Sequence, residues 1–152
     1  MLFLSALCVA QPGGVSVHDP VMARDGDKYY LFCTGMGISV FSSSDMLTWK
    51  AEMPVFREPP EWAVKAVTGY RGHTWAPDIS FHDGVYYLYY SVSAFGKNTS
   101  CIGVATNTTL DPANPAFRWV DHGMVVQSVP GRDMWNAIDP NLAIDDAGTP
   151  WL

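Results

Sequence analysis

The chain alternates short runs of apolar and aromatic residues with polar turns, a pattern that is typical of β-strands. Three segments share one order: an Asp, a short strand, a turn that contains Gly, and a strand with aromatic residues. These segments are HDPVMARDGDKYYLFCTG from His18, APDISFHDGVYYLYYSVS from Ala76, and IDPNLAIDDAGTPWL from Ile138. Because Asp-Gly between apolar runs is a strong hairpin signal, each segment is predicted to form a β-hairpin.

The three segments behave as an internal repeat of about 60 residues, in which Asp19, Asp78 and Asp139 are separated by 59 and 61 residues. Further runs such as ISVFSSSDMLTWK and CIGVATNTTLDP predict a third and a fourth strand after each of the first two hairpins. Four antiparallel strands in such a repeat are the pattern of a β-propeller blade. The chain is therefore predicted to be all-β, with two blades of a propeller and the start of a third.

A β-sandwich also contains short strands at regular spacing, but it does not explain the return of an Asp at one position of each repeat. In a propeller the innermost strand of each blade lines the central channel. We therefore expect Asp19 and Asp139, which are 120 residues apart, to face a single pocket.

Composition excludes several other classes of protein. Apolar residues make up 48% of the chain and charged residues 16%, which excludes a disordered chain. The 13 Gly and 11 Pro are too many for a helical bundle. The nine Lys and Arg against 15 Asp and Glu leave a net charge of −6, which argues against a nucleic-acid partner.

The two ends of the chain predict export and a longer domain. Residues 1–10 read MLFLSALCVA, which is too short to span a membrane and resembles the apolar part of a secretory signal. Residues 11–152 are expected to be the N-terminal part of a single propeller domain. The chain stops at Leu152 inside a predicted strand that still lacks its partner, so we expect the domain to continue.

The cysteines leave two interpretations open. If Cys8 is removed with the signal, Cys33 and Cys101 remain, and they could form a disulfide or stay as two buried free thiols. None of the three cysteines has the spacing of a metal site.

Carboxylates that converge in a cleft lined by aromatic rings indicate glycoside hydrolysis. That reaction needs a carboxylic acid to protonate the leaving oxygen and a carboxylate to act on water or as a nucleophile. A carboxylate close to the acid raises its pKa and keeps it protonated near neutral pH.

Four strings in order resemble glycoside hydrolase family 43, and most closely its endo-1,5-α-L-arabinanase branch. They are VHDP at 17–20, WAPDI at 75–79, YYLYYSVSAFGKNTSCIGVAT at 86–106 and NAIDPN at 136–141. The resemblance implies an inverting hydrolase on a five-bladed β-propeller. It implies that Asp19 is the general base and that Asp139 tunes the pKa of the general acid and orients it.

The general acid of the family is a Glu on a later blade, and this chain departs from the pattern there. Its glutamates are Glu52, Glu58 and Glu61, all in one Pro-rich loop, and none matches the motif of the acid. The acid is therefore expected beyond Leu152, and residues 1–152 alone are expected to be inactive. Five blades of about 60 residues need about 300 residues, roughly twice this length.

The resemblance also implies which residues hold the sugar. The predicted substrate-binding residues are Asp19, Trp75, Phe95, Gly96, Asn136, Ala137, Ile138 and Asp139. Asp78 carries no role from the family and is interpreted as a structural hydrogen-bonding residue. The tyrosine-rich strands are predicted to fill the wedges between blades, and residues 59–73 to form part of the cleft rim.

The substrate implied is arabinan of the plant cell wall or arabino-oligosaccharides, bound by an exported monomer. No cofactor is expected for catalysis. Any structural calcium ion would be held by residues beyond this chain, so no metal site is expected within it. An exo-acting α-L-arabinofuranosidase or β-xylosidase is the nearest alternative. A sugar-binding propeller without catalysis is an alternative of a different class.

Overall fold

A computed structural model describes residues 14–152, so the predicted signal at residues 1–10 lies outside the described residues. Two antiparallel sheets and one further hairpin account for the strands. The first sheet has the order β1-β2-β4-β5. Its strands are β1 (Val21–Asp25), β2 (Lys28–Cys33), β4 (Ser39–Ser43) and β5 (Lys50–Ala51), with the short β3 (Gly35–Met36) between β2 and β4 in the chain.

The second sheet repeats this arrangement with longer strands, in the order β6-β7-β8-β9, and β3 joins it at the edge of β6. Its strands are β6 (His73–His82), β7 (Val85–Val92), β8 (Ser100–Asn107) and β9 (Val120–Ser128). A hairpin of β10 (Ala143–Ile144) and β11 (Pro150–Trp151) follows. The predicted all-β fold with two four-stranded units is confirmed.

The predicted hairpins form, with turn chemistry that follows from backbone conformation. His82 pairs with Val85, so Asp83 and Gly84 are the two central residues, and both have positive φ, at 47° and 79°. This is the arrangement that favours Asp-Gly in a two-residue hairpin turn. In the first hairpin Asp25 pairs with Lys28, so Gly26 becomes the first central residue of its turn.

The core lies between the two sheets and is built from the aromatic strands. Tyr30 and Phe32 of β2 and Leu88 and Tyr90 of β7 are at most 1% exposed. They alternate with less buried residues, because successive side chains of a strand point to opposite faces. The packing role predicted for the tyrosines is thus confirmed at Tyr30 and Tyr90.

The segment between the sheets contains α1 (Glu61–Ala66), which is anchored to the second sheet. Trp62 Nε1 and the buried Tyr90 hydroxyl donate to the two oxygens of Asp121, at 2.8 and 2.7 Å. Gly103 makes room for both rings, since a Cβ there would lie 2.5 Å from Tyr90 Cζ and 2.8 Å from Trp62 Cζ2. Within residues 14–152 no helix is long and apolar enough to cross a membrane.

The two cysteines in the described residues are free and buried, which settles the open question for this structure. Cys33 is in β2 of the first sheet and Cys101 is in β8 of the second. Burial raises the pKa of the Cys101 thiol to about 11, so this thiol stays protonated and unreactive at neutral pH.

Asp25 joins the two sheets at the turn between β1 and β2. Its Oδ2 accepts hydrogen bonds from the Thr109 hydroxyl and from the backbone N–H of Leu110, both at 2.7 Å. Burial raises the pKa of Asp25, but these hydrogen bonds to the charged form outweigh burial, so the pKa lies below its ordinary value.

Replacing Asp25 with Asn is expected to lower the free energy of unfolding by about 1 kcal/mol at pH 7, because the acceptor loses its charge. A depressed pKa stabilises the fold above the unfolded-state pKa and loses that effect as pH falls through the folded value. The difference between D25N and the parent should therefore shrink in urea unfolding at pH 3. D27N, on the exposed side of the same turn, is the control, and a difference independent of pH would contradict the prediction.

Candidate active site

The candidate active site is built around a backbone conformation that recurs in each repeat. Asp19, Ala76 and Asp139 have φ of 50°, 36° and 55°, and each precedes a proline. A residue in the left-handed helical conformation before proline is strained, because the proline ring disfavours helical backbone conformations of the residue that precedes it. Strained positions of this kind concentrate at functional sites.

This conformation corrects the predicted register of the repeat. The residue equivalent to Asp19 and Asp139 is Ala76 and not Asp78, so the separations are 57 and 63 residues. Two carboxylates therefore occupy the repeated position instead of three. Asp78 lies two residues further along β6 and accepts a hydrogen bond from the backbone N–H of Leu142 at 2.7 Å. The structural role predicted for Asp78 is confirmed.

Asp19 is held through one oxygen of its carboxylate. His18 Nδ1 lies 2.6 Å from Asp19 Oδ2, and the Thr34 hydroxyl donates to the same oxygen at 2.8 Å. The side chain of Asp19 keeps 37% of its surface exposed. Both hydrogen bonds that the described residues make to this carboxylate end on Oδ2, which leaves Oδ1 for water.

Asp139 is held through its backbone. Its N–H donates to the hydroxyl of Ser91, the buried residue near the end of β7, at 2.9 Å. This bond ties the start of the third repeat to the second sheet. Asp139 is exposed, so its carboxylate is accessible to solvent.

Asp19 and Asp139 both line one cavity of about 420 Å³, as the repeat predicts. The residues that line it are His18, Asp19, Thr34, His73, Trp75, Phe95 and Asp139. Four of the eight predicted substrate-binding residues, Asp19, Trp75, Phe95 and Asp139, are thus brought together from three repeats.

Two aromatic rings form an apolar wall of this cavity. The centroids of Trp75 and Phe95 are 4.8 Å apart with 41° between the ring planes, and Phe95 is 86% exposed. Trp75 Nε1 donates to His73 Nδ1 at 2.9 Å, which orients both side chains. A large exposed ring beside carboxylates suits a ligand with apolar C–H faces and polar hydroxyl groups.

A second cavity of about 300 Å³ adjoins the first, with which it shares His73, Trp75 and Phe95. Tyr70 and Arg71 contribute to its wall from the segment before β6. The C-terminal part of the 59–73 segment therefore borders the cleft. The two cavities are therefore neighbours that share one aromatic wall.

The other four predicted binding residues are not part of the cavity wall. Gly96 has φ of 70°, and nothing in the described chain lies within 4 Å of the Cβ that another residue would carry there. Asn136 Oδ1 is 3.4 Å from the Ser100 hydroxyl, and the N–H of Ile138 donates to the backbone oxygen of Asn136. Ala137 is 2% exposed and its N–H donates to a serine hydroxyl. Their roles toward substrate stay predictions.

Three residues of the cavity wall were not predicted as site residues from the sequence, namely His18, Thr34 and His73. His73 lies two positions before Trp75 in the same strand, and the period of two places both side chains on one face. The sequence does hold a signal for Thr34, because Ser91 also carries a hydroxyl and stands at the equivalent position of the next repeat, 57 residues later.

Among the described residues, the cavity wall holds two carboxylates, those of Asp19 and Asp139, and no glutamate. Glu52 accepts hydrogen bonds from Ser42 and Lys50, and Glu61 pairs with Lys65 on α1. In the described part of the chain, no group of three His, Cys, Asp or Glu could hold a metal ion.

Comparison with known proteins identifies the family. Glycosyl hydrolases family 43 matches residues 14–152 of the chain. The extracellular exo-α-(1→5)-L-arabinofuranosidase of Cellvibrio japonicus is 53% identical over 152 residues, which cover 98% of this chain and 44% of that protein. The extracellular endo-α-(1→5)-L-arabinanase 1 of Bacillus subtilis is 41% identical over 140 residues, which cover 90% of this chain and 42% of that protein.

A solved structure shares the fold. The α-L-arabinanase of Cellvibrio cellulosa complexed with arabinohexaose has a TM-score of 0.88 and 55% identity, covering 90% of this chain and 44% of that one. The chain thus spans less than half the length of the curated relatives it matches. The repeat, the paired carboxylates and these likenesses agree, and the chain belongs to glycosyl hydrolases family 43.

Proposed function

We propose that this chain is the N-terminal part of a longer protein, and that the complete protein hydrolyses α-1,5-linked L-arabinofuranosyl bonds in arabinan with inversion. The observation that carries the proposal is the convergence of Asp19 and Asp139 in one aromatic-walled cavity. The relatives named arabinofuranosidase and arabinanase support the sugar, and the arabinohexaose complex supports an oligosaccharide ligand.

In this proposal Asp19 is the general base. Its Oδ2 is engaged by His18 and Thr34, so Oδ1 takes the proton from the attacking water. Asp139 is the second carboxylate, which raises the pKa of a general-acid Glu supplied by the rest of the protein. The acid protonates the leaving sugar oxygen while water attacks the opposite face of the ring, and this geometry inverts the anomeric centre.

We further propose that the complete domain is a five-bladed β-propeller. The two four-stranded sheets correspond to two blades, and the hairpin of β10 and β11 begins a third. Five such repeats would need about 300 residues, in keeping with a chain that covers 44% of its Cellvibrio japonicus relative. Closure of the ring would bring the blade that carries the acid next to the cavity.

The remaining parts of the proposal concern the setting of the reaction. The polymer would lie along the two adjoining cavities, with a sugar ring against Trp75 and Phe95. Hydrolysis by an acid and a base requires no cofactor. Export is supported by the relatives that are named extracellular, and we propose a monomer.

The test is to express the complete gene and incubate the product with debranched arabinan. We expect arabino-oligosaccharides or arabinose by chromatography, and proton NMR should show the inverted anomer as the first product. Formation of the retained anomer would refute the inverting mechanism. No hydrolysis together with tight arabinotriose binding would favour a sugar-binding propeller without catalysis.

Exo action is the second candidate, because the relative that is 53% identical is named an exo-enzyme and the one at 41% an endo-enzyme. The viscosity of an arabinan solution separates the two modes. An endo-enzyme lowers viscosity early, before many reducing ends appear, whereas an exo-enzyme releases small products while viscosity persists. Activity on β-xylosides instead of arabinan would identify the third family activity.

A further inference from the structure

A hydroxyl group stands at the same place in the first two repeats. Thr34 follows β2, and Ser91 lies 57 residues later near the end of β7, the same separation as between Asp19 and Ala76. The Thr34 hydroxyl accepts the N–H of Ala76 at 2.8 Å, and the Ser91 hydroxyl accepts the N–H of Asp139 at 2.9 Å. Each hydroxyl therefore ties one repeat to the strained pre-proline residue of the next.

Thr34 makes one bond that Ser91 does not share. The Thr34 hydroxyl also donates to Asp19 Oδ2 at 2.8 Å. In the second repeat the residue equivalent to Asp19 is Ala76, which offers no carboxylate. A hydroxyl has a single proton, and since Thr34 accepts from a backbone N–H, that proton is directed to Asp19.

The sheet arrangement makes this contact rigid. The segment after Thr34 forms β3, which pairs with β6 through Gly35 to Thr74 and Met36 to His73. Thr34 is also β-branched, which restricts its side-chain rotation. The orientation of Asp19 is thereby coupled to the contact between the two sheets and does not depend on the segment before β1 alone.

We propose that Thr34 is a positioning residue for the general base: it holds Asp19 Oδ2 so that Oδ1 faces the attacking water. The inference rests on the proposed function of Asp19. It predicts that loss of the Thr34 hydroxyl slows the chemical step while leaving substrate binding nearly unchanged. Loss of a purely structural hydroxyl would instead lower stability and leave kcat nearly unchanged.

The experiment uses the complete protein with arabinotriose as substrate. Thr34→Val keeps the shape of the side chain and removes the hydroxyl, and we expect kcat to fall about 10- to 100-fold with KM within about twofold. Thr34→Ser keeps the hydroxyl and should restore kcat to within about threefold of the parent. If T34V does not fold, T34A takes its place in every comparison.

Two further variants separate positioning from structure. Thr109→Val removes another hydroxyl that joins the two sheets, through Asp25 and outside the cavity wall, so a positioning role requires that T109V lower kcat much less than T34V while also lowering the thermal midpoint. In an Asp19→Asn background, T34V should cause no further loss of kcat, because the carboxylate through which Thr34 acts has already been replaced by an amide.

The outcomes are distinguishable. Unchanged kcat in T34V, failure of T34S to restore it, or a full additional loss in the D19N background would each overturn the role of Thr34 while leaving the proposed function intact. Parental activity in D19N alone would overturn the proposed function, and the inference about Thr34 with it.

Discussion

Asp19→Asn in the complete protein is expected to lower kcat by about 10²- to 10⁴-fold on debranched arabinan, the range for loss of a general base. The amide is isosteric with the carboxylate and can still accept the Thr34 hydrogen bond, but it cannot take a proton from water. Binding of arabinotriose, measured by titration calorimetry, should persist because the aromatic wall of the cavity is unaltered.

Asp78→Asn is the matched control, since the repeat as read from sequence places Asp78 in the same position as Asp19. The structure places it outside the cavity wall, where it accepts the Leu142 N–H. D78N should therefore keep kcat and change only the thermal midpoint. A larger loss in D78N than in D19N would show that the corrected register is wrong.

The second large effect is expected for Asp139→Asn, which should lower kcat by about 100-fold or more. A negative charge beside the general acid raises the pKa of that acid and keeps it protonated at neutral pH. Without the charge the acid ionises more readily, so the alkaline limb of the kcat profile should move to lower pH. The measurement is kcat between pH 4 and 9 for the parent and for D139N.

Leaving groups give a separate check on Asp139. An aryl α-L-arabinofuranoside with a good leaving group needs little protonation, so D139N should be much less impaired on it than on arabinan. Asp146→Asn, in the exposed turn between β10 and β11, serves as the control for a loss of charge in the same repeat. An unchanged alkaline limb would contradict the role of Asp139.

The hairpins were predictable because their information is local. Asp83 and Gly84 accept the positive φ of a tight turn, and the alternation in β2 and β7 sets which side chains are buried. These properties depend on neighbours within a few residues and on the period of two. The four-stranded units and the packing of Tyr30 and Tyr90 therefore followed from the chain as written.

Matching the Asp residues of the three segments gave the wrong register for the second repeat. Asp78 is the Asp of the second segment, yet the position equivalent to Asp19 is held by Ala76. What recurs is a left-handed backbone before a proline, and that conformation is set by the packing of one repeat on the next. An alternative signal was present in the Asp-Pro, Ala-Pro and Asp-Pro pairs themselves.

The sequence by itself determined the β-hairpins, the recurring unit and the two carboxylates that belong to one pocket, because each depends on local pattern or repetition. Only the tertiary structure decided that Thr34 bonds to both Asp19 and Ala76 and that Cys33 and Cys101 stay apart. Such contacts join residues that are distant in the chain or in separate sheets. Their geometry follows from how the sheets pack, which no local pattern encodes.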